Sequence, residues 1–134
     1  VLLMALLHDV GEVFTGDIPT FEKTDADRAR EHALRDQWID ALPPPYAAEV
    51  RDLFAEMDAC ETEEARLAKA LDRMEAVITH NEGDPLTWLP LEYDLQRTYG
   101  VEEAAFSPAL KELRAEVNHE VDALITRLAK EKTI

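Results

Sequence analysis

The residues able to do chemistry gather near the start of the chain. Leu6-Leu7-His8-Asp9-Val10-Gly11-Glu12 is followed by Gly16-Asp17-Ile18-Pro19-Thr20. An imidazole with an adjacent carboxylate, and then two more carboxylates, follow the oily run Val1 to Leu7, which predicts a helix set in a core. Burying such groups costs several kcal/mol unless something neutralises them, and a divalent cation is a common partner. Nitrogen and oxygen donors without sulfur suit Mn, Co, Zn, Mg or Fe, and the mixture is typical of hydrolytic sites. On a continuous helix His8 and Glu12, four apart, share one face. Asp9 then sits about 100° round from His8, near enough for both to reach one point.

A second carboxylate in apolar company is Asp72, in Leu71-Asp72-Arg73-Met74-Glu75. Alone, it reads as half of an ion pair with Arg66, Lys69 or Arg73; beside His8-Asp9 it becomes a candidate metal ligand. A metal held by His8, Asp9 and Asp72 would acidify bound water. Glu12 is placed to orient or deprotonate that water.

The elements that must position these residues read as helices. The first runs from the beginning to about Phe14 and stops at Gly16, a residue suited to a left-handed cap. A loop with Pro19 leads to a second helix, about Asp25 to Leu42, with Asp25 as N-cap and Ala29, Ala33, Leu34, Trp38 and Leu42 as its stripe. Pro43-Pro44-Pro45 ends it. A third covers about Tyr46 to Ala59. Thr62 caps a fourth that reaches His80, striped by Leu67, Leu71, Met74 and Ile78. Asn81 to Pro90 is a loop, Leu91 to Tyr99 a short helix ended by Gly100. Ser107-Pro108 starts a long last helix, Ser as N-cap and Pro at N1. The expectation is an all-α helical bundle of about six helices forming a single domain over residues 1–134.

The chain has 134 residues, 46% hydrophobic and 32% charged, as in an ordinary globular domain. Its formal charge of −15 argues against nucleic acid as a partner, because polyanion binding is driven by Lys and Arg. A small anionic substrate needs a metal and local basic residues to overturn that field. The single cysteine, Cys60, excludes an internal disulfide and fits a reducing, cytoplasmic setting. No stretch approaches the roughly 20 apolar residues of a bilayer span, so no membrane partner is expected.

His8-Asp9-x-x-Glu12-x-x-x-Gly16-Asp17-Ile18-Pro19-Thr20, with the later Leu71-Asp72, resembles the HD-domain phosphohydrolases, and more narrowly the YfbR-like 5'-deoxynucleotidases. The likeness spans roughly residues 1 to 95. It implies an all-α HD-domain bundle, generally a homodimer, that uses a divalent metal to remove the 5'-phosphate of (deoxy)nucleoside monophosphates. By that resemblance His8, Asp9 and Asp72 match three of four metal ligands, and Glu12 and Asp17 match the catalytic carboxylates. Asp17-Ile18-Pro19-Thr20 and Lys23 then form the substrate loop. The family's fourth ligand, a His on a preceding helix, and an Arg-Trp pair farther upstream have no counterpart here. The expectation is therefore a chain lacking its N-terminal helix or helices.

Two alternatives stay open: an HD hydrolase acting on nucleoside triphosphates or signalling nucleotides, and a non-catalytic helical dimerisation module with an incomplete metal site. The long last helix offers a face for a second subunit. The other histidines have ordinary explanations: His32 and His119 on solvated faces, His80 at a helix C-terminus, where positive charge is favoured. Trp38 reads as core. Trp88 reads as core or as a wall for a base.

Overall fold

A computed structural model describes residues 1–131, with eight α-helices and no β-strand among them. In chain order these are α1 (Leu2–Leu7), α2 (Glu12–Thr15), α3 (Asp25–Asp40), α4 (Tyr46–Ala59), α5 (Glu63–Glu82), a 3₁₀ turn Pro85–Thr87, α6 (Glu92–Thr98), α7 (Val101–Ala104) and α8 (Pro108–Glu131). Six of the helices are longer than a single turn, so the all-α expectation holds. The chain divides into two compact units, Val1–Ala65 and a second that begins at Arg66.

In the first unit the expected opening helix is interrupted. Between α1 and α2 the backbone bonds run from Val10 N–H to the Leu7 carbonyl (3.0 Å) and from Glu12 N–H to the Asp9 carbonyl (2.9 Å). These are i→i+3 bonds, the tighter winding of a 3₁₀ turn. The oily approach is also not a core helix. Met4 is 2% exposed, whereas Leu2 and Leu6 are 89% and 77% exposed. A helix of under two turns packed on α4 turns only one narrow face inward, and Met4 occupies it.

The start of α3 also differs from expectation. Thr24, not Asp25, is the N-cap, in a reciprocal capping box with Asp27. Of the stripe expected along this helix, Ala29 and Ala33 are exposed and Leu34, Trp38 and Leu42 only half-buried; the buried positions are Arg35 and Ile39. Arg35 forks onto Asp58 of α4 (Nη1–Oδ1 3.0 Å, Nη2–Oδ2 2.9 Å) and lies 4.7 Å above the Phe54 ring. A guanidinium with a bidentate carboxylate and an aromatic face can be buried where apolar periodicity predicts none. The span of α4 is the one its periodicity predicts.

In the second unit the interior lies along α5 and α8. Ala70 and Met74 of α5 meet Ala104 and Leu110, and Val77 meets Val117 and Val121. Leu71, expected in the stripe of its helix, is exposed, as is Leu113 of α8. Thr62 accepts from Ala65 N–H at 3.2 Å, the predicted cap of α5, and Pro108 opens α8 as predicted. Helix α7, one turn long, is the element periodicity misses. It follows Gly100, whose φ of +78° places it in the left-handed region. Arg114, 2% exposed, ties the unit together by donating to the carbonyls of Gln96 and Tyr99.

Candidate functional site

His8 follows the last turn of α1, with its N–H bonded to the Met4 carbonyl at 2.9 Å. Its Nδ1 lies 2.9 Å from the Ala5 carbonyl. A carbonyl oxygen only accepts, so Nδ1 carries the proton and Nε2 is the nitrogen that can bind a metal. Nε2 in turn stands 2.9 Å from Asp9 Oδ2. An imidazole nitrogen and a carboxylate oxygen this close form a pair of the donor types a divalent metal takes. The donor pair therefore fits a divalent metal, and Asp9, on the exposed side, leaves it open to solvent.

The 3₁₀ winding decides what stands beside this pair. Residues three apart eclipse in such a turn, which aligns Glu12 with Asp9 instead of stacking it on His8. Burial is the main reason the Glu12 carboxyl is raised above its ordinary value of 4.5, and the negative charges of Asp9 and Asp17 add to that shift. A hydrogen bond from Lys23 opposes it without cancelling it. Asp9 and Asp17 thus both act on Glu12.

Gly16 ends α2 with φ +78° and ψ 159°, not the left-handed cap expected but an extended region open in practice only to glycine. The loop then folds back at Pro19, whose carbonyl accepts from Glu22 N–H (2.8 Å) and Lys23 N–H (3.0 Å). That return brings Lys23 Nζ to 3.0 Å from Glu12 Oε1 and into direct ion-pair contact with Glu31 of α3. Burial lowers the Lys23 pKa, but the bonds its ammonium donates to Glu31 and Glu12, with their negative charges, outweigh it and leave it raised. Ile18 is half-buried, and Asp17, Pro19 and Thr20 are exposed along the loop.

Asp72 belongs to the second unit, on the exposed side of α5 between buried Ala70 and Met74. Among the described residues, no group of three or more His, Cys, Asp or Glu side chains is arranged to hold a metal ion. Of the other residues singled out, Trp88 is buried, stacked on His80 at 5.0 Å and edge-on to Tyr93 at 5.5 Å. His32 and His119 are exposed. No helix among the described residues is long and apolar enough to cross a membrane.

Glu31 is the functional-looking residue that sequence reasoning passed over. The available signal was Gly11, a glycine inside a helical run, which commonly marks a close approach. A Cβ at Gly11 would lie 2.7 Å from Glu31 Cγ.

A family model described as HD domain matches residues 1–114. The mouse protein 5'-deoxynucleotidase HDDC2 is 31% identical over 124 residues, covering 90% of this chain and 61% of its own length. The cattle protein of that name is 30% identical over 132 residues, with coverage of 96% and 63%. The human one is 29% identical over the same length. The chain thus spans somewhat under two thirds of these curated relatives. No solved structure matches it significantly. With the motif in place, the model covering most of the chain and relatives aligned across nearly all of it, this chain belongs to the HD domain family.

Proposed function

We propose that this chain is the catalytic part of a metal-dependent phosphohydrolase that removes the 5'-phosphate from (deoxy)nucleoside monophosphates. The observation that carries the reading is the His8–Asp9 pair, with the imidazole oriented by the Ala5 carbonyl and the partly buried Glu12 beside it. The relatives named 5'-deoxynucleotidase support the substrate class. In this reading His8, Asp9 and Asp72 hold a divalent cation, one of Mn, Co, Zn, Mg or Fe. When bound, it supplies Lewis acidity toward the phosphoryl group and acidifies water.

The chain's own residues do the remaining work. Glu12, raised by burial, accepts the proton of the attacking water. Asp17 donates a proton to the departing 5'-oxygen or binds the sugar hydroxyl. Ile18, Pro19 and Thr20 shape the loop on which the phosphate rests, and Lys23 offsets the acidic cluster beneath it. A homodimer, with α8 as a candidate contact, and a cytoplasmic setting complete the reading.

The test is phosphate release by the purified full chain with Mn or Co, over deoxy- and ribonucleoside mono- and triphosphates. Release from monophosphates supports the reading, and release confined to triphosphates replaces its substrate. Asp72→Ala should abolish metal binding; full metal occupancy in that variant removes Asp72 from the ligand set.

A further inference from the structure

We propose that Glu31 is a positioning residue for this reaction, holding the Lys23 ammonium so that Lys23 fixes the Glu12 carboxylate. The inference rests on the phosphohydrolase reading above. Lys23 and Glu31 are the least exposed charges of the cluster, with 11% and 16% of their side chains accessible against 21% for Glu12. One carboxylate is enough to neutralise one ammonium. A second, brought in from another helix, adds negative charge where the chain already carries Asp9, Glu12 and Asp17. Desolvating it is costly, and an apolar side chain of similar volume would fill the space without that cost.

The backbone is adapted to this third member. Gly11 has an ordinary helical φ of −62°, so no conformational demand calls for glycine there. What glycine provides is room for Glu31, whose Cγ crosses where a Cβ would stand. The Lys23 backbone is already secured, by the Pro19 carbonyl on one side and by Arg28 Nη2, 3.3 Å from the Lys23 carbonyl, on the other. What remains to be fixed is the long Lys23 side chain, and carboxylates from two different elements, Glu12 of α2 and Glu31 of α3, both hold its ammonium. Glu12, bonded through Oε1, is oriented with it.

The experiment compares full-chain wild type with Glu31→Leu and Glu31→Gln in steady-state phosphate release from a deoxynucleoside monophosphate, with Mn present. Misplacing a reacting group slows chemistry more than it weakens binding, so Glu31→Leu should lower kcat about tenfold or more and leave KM within about twofold. Glu31→Gln keeps an acceptor for Lys23 and should fall between the two. Wild-type kcat in a folded Glu31→Leu overturns the role, as does a loss confined to KM, which would assign Lys23 to the phosphate instead. If Glu31→Leu fails to fold, Gly11→Ala displaces Glu31 while keeping every charge. There too kcat should drop, and an unchanged kcat overturns the proposal. A wild type inert on every nucleotide refutes the phosphohydrolase reading itself, and the positioning role with it.

Discussion

The Ala5 carbonyl accepts the Nδ1 proton of His8 at 2.9 Å, one turn back along the chain. That single bond chooses the tautomer and turns Nε2 toward Asp9 Oδ2. Asp9→Asn should therefore weaken Mn or Co binding by at least about 10–100-fold, the range seen when a ligand loses its electrostatic support. Isothermal titration of the metal into each variant measures it. His8→Ala should lose more, and unchanged affinity in both variants removes the pair from the metal site.

Glu12 is expected to carry proton transfer. Glu12→Gln should reduce kcat by about 10²–10⁴-fold while metal binding persists. Because burial raises the Glu12 carboxyl, its base form appears at higher pH than for an ordinary glutamate. The acid limb of the kcat–pH profile should sit correspondingly high and vanish in the variant. A limb that survives Glu12→Gln unchanged belongs to another group.

Lys23 links the site to alkaline stability. Its raised pKa means that the folded protein holds the proton more tightly than the unfolded chain does. The stabilisation is complete below the ordinary value of 10.5 and is lost as pH rises through the folded value. Urea midpoints should fall above that pH in wild type, with a smaller fall in Lys23→Met. Identical alkaline slopes would show that the ammonium contributes nothing there.

Arg114 meets carbonyls, not carboxylates, and burial lowers its pKa. Arg114→Met leaves the Gln96 and Tyr99 carbonyls without their donors and should cost about 2–3 kcal/mol in chemical denaturation. Arg114→Lys should recover little, since an ammonium lacks the fork that reaches both. Full stability in the methionine variant would mean that water replaces the guanidinium.

Helix class and most helix ends were legible in the sequence because caps, prolines and apolar spacing act over a few residues. Thr62, Pro108 and the span of α4 are such cases. The adjacency of His8 and Asp9 was legible too, and covalent neighbours need no fold to meet. The turn at 8–11, the exposure of Leu2 and Leu6, and the burial of Arg35 were not. Each depends on what another helix brings: the first helix packs on α4 with Met4 as its buried residue, and Asp58 makes an arginine buriable. Glu31 is the clearest instance. Nineteen positions separate it from Glu12, and no local rule joins them. Side-chain chemistry was written in the order of residues; which charges share a space was decided by a glycine that lets two helices touch.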